Sequence, residues 1–276
     1  MKIIDTFDSI LSAYQDGKFN LELWEKYADN IPINLKQKVK LDYLRNDFDN
    51  LGLPVLNALP DKKDLLEQAH SSFLRVTDHL SQKIIDKFGV DLDVTIVLYL
   101  GLCNAAGWAT KIDGKNVVLL GIEKIVELEW CDESNMIALI HHELGHIWHF
   151  LYEPKTLMTS KKDKAIQQLF REGIAMTFEQ TLCDDFDFFH QNTNGWLDWC
   201  NENEVRIKAE YLRRVNNNEN IQDFFGDWCS YENHSDVGYY LGSRFVLYLM
   251  KEYSLQEIAG FKLKKIYNEF CKYVNT

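Results

Sequence analysis

Apolar positions change period twice along this chain. Over residues 3–90 they recur at helical spacing. Ile3, Ile4, Phe7, Ile10, Leu11 and Tyr14 form the first series, and Gly17 offers it a stop. Shorter helical segments follow at 21–27 and 35–48, and a long one at 65–88 is closed by Gly89. The period then shortens. Val94-Thr95-Ile96-Val97-Leu98-Tyr99-Leu100 is rich in β-branched and aromatic residues and reads as a buried strand. Asp113-Gly114 sits between 104–112 and 115–120 and is a strong signal for a two-residue hairpin. Helical spacing returns at 133–152, ended by Pro154, and again at 163–182, 199–215, 237–253 and 261–273, with a short helix from 255. The pattern predicts an α+β protein, mainly helical, with a small, largely antiparallel sheet preceding the helix at 133. It suggests a helical region over 1–90 followed by a domain over 91–276, though the length also allows one continuous domain.

Composition narrows the classes of partner. The chain has 276 residues, 46% of them apolar and 13% aromatic, enough for a substantial core. Its formal charge of −12 argues against nucleic acid and anionic membrane, which need a basic face. Mean hydropathy is −0.29, and no apolar run approaches the roughly 20 residues needed to cross a bilayer. The start, Met1-Lys2-Ile3-Ile4-Asp5, soon meets acids and lacks a secretory apolar segment, so a cytoplasmic protein is expected. Six cysteines are spread singly with no Cys-x-x-Cys, which points to reduced thiols and away from a Cys-ligated metal.

The chemistry concentrates in His141-His142-Glu143-Leu144-Gly145-His146-Ile147-Trp148-His149, which holds four of the eight histidines. Its inner five residues read His-Glu-x-x-His. The preceding 135–140 segment has no Pro or Gly, so the motif lies on a helix. Positions four apart share a helix face, so His142 and His146 can aim both imidazoles at one ion. Glu143 lies beside them, placed to take a proton from water.

A third donor is sought on the next helix, whose apolar stripe runs through Ala165, Ile166, Leu169, Phe170, Ile174, Ala175 and Phe178. Glu172 interrupts it. A carboxylate in such a stretch is costly to bury unless paired or bound to a cation. Gly173 beside it costs about 1 kcal/mol of helix stability relative to Ala and allows close approach of a neighbour. Glu172 is therefore assigned as the third ligand. The alternative is a surface Glu paired with Arg171 or a nearby Lys. His149 also lies near the ligand face. Three donors within two turns of one helix give poor tetrahedral geometry, so His149 is read as packing or supporting, while His141 points elsewhere on the helix and is given no site role. His70 and His79 are read as helix-surface or packing residues. His190 and His234 remain candidates for stabilising a transition state. The aromatics Phe186, Phe188, Phe189, Trp196, Trp199, Phe224, Phe225 and Trp228 are read as core, with a substrate groove as the alternative.

The pair His142-Glu143-x-x-His146 and Glu172-Gly173-x-Ala175, with Glu172 placed 26 residues after His146, resembles the gluzincin group of zinc metallopeptidases. It is also similar to uncharacterised bacterial predicted zinc-dependent proteases that share both motifs. The resemblance covers roughly residues 94–255 and implies a zincin-like fold, one zinc ion per chain and a peptide or protein substrate. Tyr239-Tyr240-Leu241-Gly242 is similar to the Tyr-x-x-Gly helix of gluzincin aminopeptidases. It implies Tyr239 as the oxyanion-stabilising tyrosine, with Tyr240 its rival. The Gly-x-Met-Glu-Asn motif of those aminopeptidases is absent. The longer metzincin pattern is absent too, since 149 is His and 152 is Tyr.

The expected activity is hydrolysis of a peptide bond by a metal-activated water, with Glu143 as base. Two rival readings stay open at this point: a zinc-bound but inactive peptide-binding module, and a metal-free helical protein. In zinc peptidases a strand edge upstream of the metal helix often pairs with an extended peptide; the alternative is that these strands only cover a core.

Overall fold

The structure is a computed structural model, and it describes residues 1–43, 47–155, 157–226 and 229–276. The chain divides into two compact units, 1–143 and 144–276, with the boundary inside one helix.

The first unit opens with strand β1 (Lys2–Asp5), a turn of 3-10 helix at Phe7–Ala13 and a small hairpin of β2 (Tyr14–Gln15) and β3 (Lys18–Phe19). Helices α1 (Leu21–Asp29), α2 (Leu35–Tyr43), α3 (Leu53–Ala58), α4 (Lys63–Thr77) and α5 (Leu80–Phe88) follow. Then come β4 (Val94–Tyr99), β5 (Gly107–Ile112), β6 (Lys115–Gly121), α6 (Ile122–Glu127) and α7 (Glu133–His149). The expected helix over 35–48 ends at Tyr43, and residues 44–46 lie outside those described.

The class is α+β and mainly helical, as the sequence predicts, and a small sheet precedes α7. Its pairing is mixed. The order is β1-β4-β6-β5, with β1 and β6 parallel to β4 and β5 antiparallel to β6. The local hairpin is where the Asp113-Gly114 signal put it, both residues taking positive φ, 50° and 77°. The parallel pairs come from elsewhere. Ile3 and Ile4, read as the start of a helix, lie in β1 opposite Ile96 and Val97. Because β1 adds to the sheet, the boundary expected near residue 90 falls inside the first unit. The long helix expected over 65–88 is also two helices. It breaks at Asp78 and His79, where Asp78 is extended and His79 has φ of 55°.

The second unit continues α7 and contains α8 (Lys161–Cys183), α9 (Trp196–Asn216), α10 (Val237–Leu249), α11 (Leu255–Ala259) and α12 (Leu263–Val274). Ser160 caps α8 in a reciprocal capping box with Asp163, which starts the helix two residues before the sequence signal at 163. Helix α8 is packed by backbone contacts on two sides. A Cβ added at Gly145 would lie 2.7 Å from the Cα of Ala175, and one at Gly173 would lie 2.3 Å from the Gly242 carbonyl oxygen. Only residues without a side chain at 145, 173 and 242 let α7 and α10 come this near. The aromatics of this unit are mostly core. Phe224 stacks on Tyr231 and meets Tyr211 edge-on, while Trp196 and Phe189 surround Tyr240. Phe186 is exposed, and Trp228 lies outside the described residues.

Candidate metal centre

Residues 135–149 contain good helix formers, and α7 runs through the whole His-Glu-x-x-His motif. The four-residue period brings His142 and His146 onto one face. Helix α8 supplies Glu172, held beside Gly173 at the α8–α10 crossing. One donor atom from each of His142, His146 and Glu172 lies within 4.8 Å of the other two. His142 is buried, and the other two are half-buried. No other set of three or more His, Cys, Asp or Glu donors converges in this way among the described residues.

The His146 Nε2 to Glu172 Oε2 separation is 3.4 Å. A charge-assisted hydrogen bond would sit nearer about 2.8 Å. Two ligands at about 2.0–2.1 Å from a tetrahedral ion are separated by about 3.3–3.4 Å. The spacing is compatible with two ligands sharing one ion. Two imidazoles and a carboxylate are also a donor set that zinc accepts. This group can bind a metal ion.

Arg171, the competing partner for Glu172, is engaged elsewhere. Its Nε donates to Glu153 at 2.7 Å, and Gln167 donates to the same oxygen at 2.6 Å. His149 does not join the donor group. It is buried against the edge of Phe170, with ring centroids 5.7 Å apart, and burial lowers its pKa to about 4. It is therefore a neutral packing residue at physiological pH. His141 is likewise buried, and burial takes its pKa down to about 3.

Glu143 turns from α7 toward β5. Its Oε2 accepts the Ala109 amide at 2.6 Å. A Cβ at Gly107 would lie 3.0 Å from both the Glu143 Cγ and Oε1, and 2.6 Å from the Leu139 Cδ1. Leu139 and Glu143 are one turn apart, so one stripe of α7 meets this strand. Neither Gly107 nor Ala109 stands out in the sequence as a site residue. The available signal is a Gly inside a strand pattern, which often marks close approach of another group.

Tyr239 is half-buried on α10, one turn before Gly242, with its ring 5.8 Å from that of Phe225. Its rival Tyr240 is buried and donates its hydroxyl to Asn201 at 2.9 Å, with Glu204 at 3.2 Å. Burial pushes the Tyr240 phenol well above its ordinary pKa. Tyr240 is thus committed to α9. His234 stacks on Trp199 at 3.7 Å, and its Nδ1 is 2.9 Å from the Glu232 carbonyl. His190 is half-buried and is not among the converging donors. His70 stacks on Phe7 and bonds Asp5, while His79 is exposed at the start of α5.

A second acid that sequence reading missed is Glu123, at the start of α6. It is fully buried, and its oxygens accept the Gly101 amide at 2.7 Å and the Cys103 amide at 3.0 Å. Burial raises its pKa to about 7. It anchors the loop that leads into β5.

Among the described residues, no helix is long and apolar enough to cross a membrane. Comparison of the chain with protein-family models, with curated proteins and with solved structures found no match.

Proposed function

We propose that this protein is a zinc-dependent peptidase that hydrolyses peptide bonds through an activated water. The observation that carries the reading is the convergence of His142, His146 and Glu172, with Glu143 next to the first of them on the same helix. The three side chains would hold one zinc ion per chain. A bound zinc would supply a Lewis acid and lower the pKa of water toward about 7. Glu143 accepts the proton of the attacking water and returns it to the leaving amine. Tyr239 is the proposed hydrogen-bond donor to the developing oxyanion. A peptide substrate is favoured by β5, an outer strand of its sheet that runs beside Glu143.

The test combines metal analysis with a casein or peptide-library assay. The expected result is one zinc per chain, hydrolysis that a chelator removes and zinc restores, and a Glu143→Gln variant that keeps its metal and loses hydrolysis. Glu143→Gln cleaving as fast as the unaltered protein would overturn the assignment of the base. Absence of bound zinc would overturn the whole reading. Zinc binding without cleavage of any peptide would leave the non-catalytic peptide-binding module in its place.

A further inference from the structure

Strand β5 carries more than an edge. In an antiparallel ladder, successive residues turn their N–H and C=O alternately toward and away from the partner strand. The Gly121 amide donates to the Ala106 carbonyl at 3.0 Å, so residue 106 faces β6, and 107, 109 and 111 face the open side. The Ala109 amide is therefore not needed by the sheet. It is spent on the Oε2 of Glu143, at 2.6 Å. The other oxygen, Oε1, lies 3.0 Å from where a Cβ at 107 would sit, with the Leu139 Cδ1 nearer, at 2.6 Å. A glutamate side chain has three rotatable bonds and would otherwise sample many positions. Here one oxygen is anchored and the other is seated over a glycine.

We infer that Gly107 and the Ala109 amide are positioning elements for Glu143. They hold one carboxylate oxygen so that the other points where a water must lose its proton. This inference rests on the proposed role of Glu143 as base, and a positioned base is effective only within hydrogen-bond reach of that proton. The arrangement depends on a backbone N–H and a missing side chain, so each can be altered separately. Ala109→Pro deletes the amide without taking a rung from the ladder, because outward positions of an edge strand tolerate proline. Gly107→Ala keeps the amide and crowds Glu143 together with Leu139, one turn away on the same helix.

The experiment uses the full chain with zinc bound. Ala109→Pro is expected to lower kcat about 10-fold or more, a part of the roughly 100- to 10,000-fold that a positioned general base contributes. KM should stay within about threefold and zinc at one per chain. Gly107→Ala is expected to move kcat in the same direction. A second readout needs no activity. In the unaltered protein the Ala109 amide should exchange with solvent at least about 10-fold more slowly than the Lys111 amide on the same edge, as expected for an amide held by a half-buried hydrogen bond. Glu143→Ala should abolish that protection and Glu143→Gln, which keeps an acceptor, should restore most of it. Ala109→Pro with an unchanged kcat, or an Ala109 amide exchanging as fast as that of Lys111, would overturn the inference. Should Ala109→Pro fail to fold, the exchange comparison among the Glu143 variants decides alone. A protein lacking zinc and hydrolysis altogether would instead defeat the reading of Glu143 as base, a separate outcome.

Discussion

Glu123 in the first unit and Glu172 in the second are both carboxylates set into apolar stretches of helix. Their surroundings differ in kind. Glu123 has no exposed surface, and backbone amides of Gly101 and Cys103 occupy its two oxygens. The Glu172 side chain keeps 18% of its surface and faces an imidazole at a distance too long for a strong hydrogen bond. The first carboxylate is saturated by the fold. The second converges with two imidazoles, whose nitrogens are lone-pair donors when the ring proton sits on the other nitrogen. Burial alone therefore does not mark a functional acid. What separates them is whether the partners are amides, which complete the carboxylate, or metal-ligating side chains, which a cation can bridge.

The sharpest way to break this comparison is to remove each carboxylate in turn. Glu172→Ala should take bound zinc from one per chain to none after dialysis, an affinity loss of roughly 100-fold or more. Even loss of a hydrogen-bond partner to a ligand costs about 10–100-fold. Undiminished tight binding in that variant would move the third ligand elsewhere. Glu123→Ala should leave zinc stoichiometry intact. It should destabilise the protein by about 4 kcal/mol, since one buried and one half-buried amide lose their acceptor at about 1–3 kcal/mol each. Denaturant unfolding checks this, and a change below about 1 kcal/mol would remove Glu123 from its anchoring role.

The smallest effect is pH-dependent. The pKa of Glu123 is raised by burial from 4.5 to about 7 in the folded protein. Between those values the folded chain binds the proton more readily than the unfolded one. Its contribution to stability is therefore fully present below pH ~4.5 and is lost as pH rises through ~7. At about 1.4 kcal/mol per unit, the loss is on the order of 3 kcal/mol. Unfolding measured at pH ~5 and ~7.5 should show this decline in the parent protein and its absence in Glu123→Gln. Equal slopes in the two proteins would place the titration on another group.

The donor group was legible in the sequence because its geometry is mostly local. His142 and His146 need only a continuous helix, and 135–149 forms one. Glu172 was legible because a lone acid and a glycine interrupt an apolar stripe. The hairpin at Asp113-Gly114 was legible for the same local reason, its turn residues tolerating positive φ. Strand β1 was not. Ile3 and Ile4 acquire their partners Ile96 and Val97 only across more than ninety residues of chain, and nothing near them distinguishes a strand from a helix start. The break between α4 and α5 was equally hidden, since Asp78 and His79 are neither Pro nor Gly. Glu123 was missed although it also stands as a lone acid between Gly121-Ile122 and the Ile125-Val126 pair. Its amide partners belong to a loop that only tertiary structure carries to it. The Ala109 contact could not be read at all, because a backbone N–H leaves no mark in the sequence.

The glycines at 145, 173 and 242 have a consequence for how the protein can be handled. Main chain pressed on main chain leaves neighbouring helices little room to slide or rotate, so the donors are arrayed before an ion arrives. Small zinc modules behave otherwise, collapsing only around their metal. Here the stripped protein should remain a rigid receptor, open to recharging in the test tube with cobalt, nickel or manganese. Which ion it then keeps would report the intrinsic coordination taste of two imidazoles and a carboxylate, undisturbed by refolding.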